Sequence, residues 1–169
     1  PGAITAQLDS MDSVRNWSVR AEAFALADSG ERSYGVLVMG VDVEREAAIS
    51  NLRSIVREGH YFSDNANEIL LGIKLAQNLK VGPGDEIALL GQGYDGSVAA
   101  DVFIVQGLLE SGQPELDRSL ARVPLGAFRK TFFMGQRAHR IVVNGPSLDD
   151  LEALAGELRT WLAANDPSL

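Results

Sequence analysis

From residue 17 to residue 26 apolar and polar side chains alternate, with Val19, Ala21, Ala23 and Ala25 set against Ser18, Arg20 and Glu22. A period of two places one set on a single face, which predicts a strand buried on one side. Asp28-Ser29-Gly30 supplies turn chemistry, and the valine-rich residues 34–41 predict a second strand that completes a long β-hairpin. The spacing of Ile4, Leu8 and Met11 predicts a short helix ahead of it. After it, Ile49, Leu52, Ile55 and Val56 share one helical stripe and Gly59 stands as a stop, which predicts a helix over residues 44–58.

The middle of the chain changes rhythm. Residues 68–71 predict a short buried strand, and residues 72–79 a helix whose Leu75 and Leu79 lie one turn apart. Val81-Gly82-Pro83-Gly84-Asp85 is a tight turn in which Gly82 and Gly84 permit positive φ and Asp85 accepts backbone hydrogen bonds. Gly72 is expected to let its strand turn sharply into the helix. Strands are predicted over 86–90 and 98–109, joined by a glycine-rich loop. A shorter strand over 118–125 ends at Pro124, and residues 125–133 predict a short helix. The chain closes with a strand over 139–143, an Asn144-Gly145-Pro146 turn and a helix capped by Ser147. Asp149 and Asp150 favour the positive end of that helix, and Leu148, Leu151, Leu154, Leu158 and Leu162 form its apolar stripe.

Glycine turns and short strands concentrate in residues 44–116, while the ends hold the more regular elements. This predicts an α+β fold of two lobes: a discontinuous α/β lobe from residues 1–43 and 117–169, and a small β-rich lobe, 44–116, inserted into it. A length of 169 residues suffices for a core without staples, and 46% hydrophobic with 22% charged residues is the balance of a globular chain. The net charge of -8 repels nucleic-acid phosphates and anionic lipid headgroups, so nucleic acid is not an expected partner. With no cysteine, thiolate catalysis and zinc–thiolate sites are excluded. No apolar run reaches the roughly 18 residues of a membrane helix. The chain starts at Pro1 rather than methionine, which suggests a fragment or processed product.

Few residues suggest chemistry. Gly91-Gln92-Gly93-Tyr94-Asp95-Gly96 fits the G-x-G-x-x-G spacing of dinucleotide-binding loops. It is followed by Val98, Val102 and Ile104 rather than a helical pattern, and Asp95 sits where phosphate charge would go, so a hairpin loop is expected. A nucleotide-binding enzyme domain using this loop is the alternative function, and a free secreted binding or adaptor module a second. His60 stands near Asp64, a base–carboxylate possibility in a polar loop, and His139 is remote from both. Asp149, Asp150 and Glu152 are read as helix N-terminal charge rather than a metal site. Phe128 and Phe132, one turn apart beside Arg129-Lys130, are read as core. No catalytic residue, cofactor or metal ligand is assigned.

Several phrases occur in a telling order: Gly40-Val41-Asp42; Glu58-Gly59-His60-Tyr61-Phe62; Glu68 through Leu79 with Gly72; Val81-Gly82-Pro83-Gly84-Asp85-Glu86-Ile87; Phe103-Ile104-Val105-Gln106-Gly107; Glu115-Leu116-Asp117; and Val123-Pro124-Leu125. Together they resemble the extracytoplasmic (periplasmic core) domain of MacB-, LolC/LolE- and FtsX-type ABC transporter permeases. The departures are Val43, where that family usually has proline, and Gln106, where valine is common before the glycine.

The resemblance implies a non-enzymatic domain held between two membrane helices on the outer side of the bacterial inner membrane, with both chain ends on one face. It implies a cytoplasmic ABC ATPase acting through those helices, a second permease subunit, and a periplasmic accessory protein or lipoprotein as further partner. Gly72, Leu75, Leu79, Gly82, Gly84 and Asp85 are scaffold residues of the inserted lobe in this reading.

Overall fold

The computed structural model describes residues 2–63 and 66–165. Pro1 and Leu169, the ends expected to share a face, lie outside them. In chain order the elements are α1 (Gly2–Ser10), β1 (Asn16–Asp28), β2 (Ser33–Val41), α2 (Val43–Ile49), β3 (Val56–Gly59), β4 (Glu68–Gly72) and α3 (Ile73–Leu79). They continue with β5 (Glu86–Gln92), β6 (Val98–Leu109), α4 (Pro114–Asp117), β7 (Leu120–Pro124), α5 (Leu125–Thr131), β8 (Arg140–Asn144) and α6 (Leu151–Asn165). The architecture is α+β.

The strands pair in the order β2-β7-β4-β6-β5-β1-β8, with β3 on β6, and β1 also pairs with β2. That last pairing closes six strands, β1, β2, β7, β4, β6 and β5, into a barrel. The long β1 makes closure possible. Along one edge its residues 20–28 pair with β2; along the other, residues 16–20 pair with β8 and 25–28 with β5. The expected boundaries at 44 and 116 fall inside this ring, because β1–β5 and β4–β7 join the two segments. The division into lobes stays a proposal.

The alternation read from the sequence has a reason in the interior. Ala21, Ala25 and Ala27 face inward, and their small side chains leave room for larger ones from the helices. Phe128 of α5 and Phe132 just past its end pack ring against ring, with centroids 4.6 Å apart. A Cβ on Gly91 would stand 3.1 Å from the Phe132 ring. Leu75 and Leu79 of α3 are fully buried in the same core, along with Leu8 of α1 and Leu158 of α6 at its margin. Burying a leucine contributes about 1.5–3 kcal/mol. A second cluster, including Met39, Val41, Leu70 and Leu120, lies under Leu52 and Phe62.

Two expectations need correction. The helix over 44–58 stops at Ile49, where Ser50 takes extended backbone (φ -133, ψ 170) and its hydroxyl donates to the Glu46 carbonyl. Leu52 reaches the second cluster from a turn, and residues 56–59 become a strand on the free edge of β6. Four apolar residues at spacings of three and four suit either arrangement; the vacant strand edge decides. The last helix starts at Leu151 and not after Ser147. The Ser147 hydroxyl donates to the Asp150 carboxylate at 2.7 Å, and the Asp150 carbonyl accepts the Leu154 N–H at 2.9 Å. Leu148, 85% exposed, falls outside the stripe.

Candidate functional site

The phrases singled out in the sequence meet in pairs. Gly40 of β2 lies beneath Phe128, since a Cβ there would come within 2.5 Å of the phenylalanine Cβ. Gly59 of β3 and Gly107 of β6 face each other across the ladder, and a side chain on either would strike the other strand's backbone. Gly72 abuts the backbone carbonyl of Asp117, which a Cβ would overlap. Its φ of -58 and ψ of 138 are open to any residue. Close approach, not the sharp turn expected from the sequence, therefore requires glycine. Asp117 is itself buried, and its carboxylate accepts from the Ser111 N–H at 2.9 Å and hydroxyl at 2.7 Å.

The turn after α3 holds β5 and β6 in register. The Gly82 N–H donates to the Asp85 carboxylate at 2.8 Å; the Gly84 N–H donates to the Val105 carbonyl, and the Val105 N–H to the Asp85 carbonyl, both at 2.8 Å. Only Gly84 has positive φ (+96); Gly82 does not, contrary to expectation. Gly84→Val and Asp85→Ala are each expected to cost about 1–2 kcal/mol, the first through left-handed strain and the second through a lost acceptor. Thermal melts check this, and unchanged midpoints would contradict it.

A polar cleft of about 870 Å³ lies between α2, residues 61–63 and α5, with Asp42, Glu44, Arg53, Ser63 and Arg129 on its walls. Asp42 caps α2 by accepting from the Arg45 N–H at 3.0 Å. The Tyr61 hydroxyl donates to the Val43 carbonyl at 3.0 Å, and burial, reinforced by Glu46, pushes it up to about 12. Behind the cleft Glu46 accepts from Arg20 through Nε (3.1 Å) and Nη2 (2.6 Å), and from the buried Ser18 hydroxyl at 3.2 Å. Burial, with Arg20 nearby, lowers Arg122 to about 10. This buried ionic cluster was not foreseen, because its members are far apart in the chain and look like ordinary surface charge.

The remaining candidates resolve simply. Gly93–Ser97 forms a hairpin loop between β5 and β6, filled by the Asp95 carboxylate. That group accepts from the Ser97 hydroxyl and N–H at 2.6 and 3.0 Å, which lowers its pKa. No helix follows. Titration with ATP or NAD is expected to give no saturable heat; tight binding abolished by Gly93→Val would contradict this. The Arg129 guanidinium donates to the Arg137 and Gln136 carbonyls, pinning residues 136–137 to α5. Asp64, weighed as partner to His60, lies outside the described residues.

The two terminal helices are fastened to the barrel. Asp9 of α1 accepts from the Trp17 indole N–H at 2.9 Å, and the Arg45 guanidinium lies 3.5 Å over that indole ring. On α6, Leu154 is buried, and Glu157 accepts from the Ser13 hydroxyl at 2.7 Å. Among the described residues no helix is long and apolar enough to cross a membrane.

Compared with known proteins, the chain matches the MacB-like periplasmic core domain family over residues 3–161. It belongs to that family. The domain superimposes on the extracellular domain of the noncanonic ABC-type transporter YknZ from Gram-positive bacteria with a TM-score of 0.74. That match covers 99% of this chain and 84% of the other at 20% identity. The periplasmic region of MacB from Actinobacillus actinomycetemcomitans gives a TM-score of 0.69, covering 96% and 72% at 12% identity. At such identities these two establish the shared fold. No curated protein matches the chain. As a MacB-like periplasmic core domain, it is an extracytoplasmic domain of an ABC transporter, and its family is a transporter-domain family.

Proposed function

We propose that this domain transmits ATP-driven motion of a permease's membrane helices to the outer side of the membrane, and there engages cargo or a periplasmic partner of the export or lipoprotein-release type. The latching of both terminal helices carries the reading. With Asp9 bound to Trp17 of β1 and Leu158 of α6 packed against the barrel core, a displacement of either helix is passed to the barrel. In the proposal α1 and α6 continue towards membrane helices, a cytoplasmic ATPase drives them, and a second permease subunit carries an opposing copy. Residues 44–116 form the part that swings furthest, with Gly72, Leu75, Leu79, Gly82, Gly84 and Asp85 keeping it rigid.

The experiment places a spin label at Val98, which is 81% exposed, in the parent permease reconstituted with its ATPase. The distance between labels on the two copies is expected to change when ATP binds and to return after hydrolysis. One distance in every nucleotide state would overturn the proposal.

A further inference from the structure

We infer that the groove between α1, β8 and α6 holds one acyl chain of an anionic phospholipid, with the phosphate against Arg137 and His139. The groove encloses about 570 Å³, within the range of small-molecule sites, roughly 300–1,000 Å³. Its walls are apolar: Ile4 and Leu8 from α1, Ile141 and Val143 from β8, and Leu158 and Trp161 from α6. Gln7 and the Tyr94 ring also border the groove, but its walls are mainly hydrocarbon and suit an acyl chain.

The charge at its rim selects the head group. The chain as a whole carries -8, yet among the described residues no aspartate or glutamate lines this groove, while Arg137, His139 and Arg140 do. Arg140 is engaged by Glu22 at 3.3 Å. Arg137 makes no ion pair among the described residues; its guanidinium lies 4.8 Å over the Tyr94 ring, which orients it without neutralising it. The His139 Nδ1 accepts the Glu22 backbone N–H at 2.8 Å, so in the neutral ring the proton resides on Nε2, a donor suited to a phosphate oxygen. An uncompensated arginine and an imidazole donor beside an apolar slot match a phosphate attached to an acyl chain. Trp161 belongs to the residue type that favours the boundary between hydrocarbon and head groups. The inference concerns binding alone and holds whether or not the domain transmits motion.

Vesicles of phosphatidylcholine containing phosphatidylglycerol with brominated acyl chains provide the probe, since bromine quenches a tryptophan it touches. Quenching is expected with the 169-residue chain and should be lost in Trp161→Phe, which identifies the groove rather than Trp17 as the contact. Arg137→Gln should weaken apparent binding about fivefold, and Arg137→Lys should largely restore it. Arg137 is exposed, so these variants leave the core untouched. Four results would overturn the inference: equal quenching by brominated phosphatidylcholine alone, quenching indifferent to Arg137→Gln, adsorption to the vesicles without quenching, or a concentration-dependent dimer that itself shields Trp161.

Discussion

Replacing Glu46 by alanine should cost about 3–5 kcal/mol, because it strips the carboxylate paired with Arg20 and removes a counter-charge acting on the buried Arg122. At about 2–4 °C per kcal/mol for a chain of this size, the melting midpoint falls by roughly 6–20 °C. The Glu46 side chain is only 4% exposed and that of Arg20 21%, so solvent replaces the lost partner only in part. Glu46→Gln keeps an oxygen for Ser18 and Arg20 but not the charge, and should fall between parent and alanine. A double replacement, Arg20→Met with Glu46→Leu, should recover a substantial part of the loss, since the orphaned charge goes with its partner. If Glu46→Ala melts with the parent, the cluster is not holding α2 to β1.

Gly72→Ala is the second large effect, at about 3 kcal/mol. The added methyl meets the Asp117 carbonyl, a backbone atom held by its own helix and by the bonds from Ser111 to the Asp117 carboxylate, so it cannot swing aside. Separating β4 from α4 is the available relief, and that loosens Leu71 and Leu75 in the core. Gly156→Ala is the matching control. A Cβ there meets nothing within 4 Å, and removing a glycine from the middle of α6 should raise stability by up to about 1 kcal/mol. Equal melting curves for Gly72→Ala and the parent would remove the contact from the account.

What could be read from the sequence was local. Alternation in β1 and the turn at Gly82–Asp85 were legible because a strand's two faces and a turn's donors lie within a few residues of one another. The glycines at 59, 72 and 107 were visible as phrases, but their reason was not. Each answers to a backbone segment elsewhere in the chain, and nothing in the spacing says which. Helix α2 was overextended because its period of three and four continued into a turn and a strand that pairs with distant β6. The barrel closure depends on β1 pairing β2 along one edge and β5 along the other, which alternation cannot report. The Arg45–Trp17 contact, the Arg20–Glu46 cluster and the basic rim at Arg137 are likewise assembled by tertiary packing. For the same reason no sequence motif marks them.

Motion can pass from the membrane to the barrel only where the terminal helices act as one body with it. The most direct test is the nucleotide-dependent distance at Val98 in the parent transporter when the joints are released by Asp9→Ala and Glu157→Ala together. ATP hydrolysis should continue while the ATP-driven change in distance shrinks or disappears. A change of undiminished size in that variant would show that motion reaches the barrel by another route.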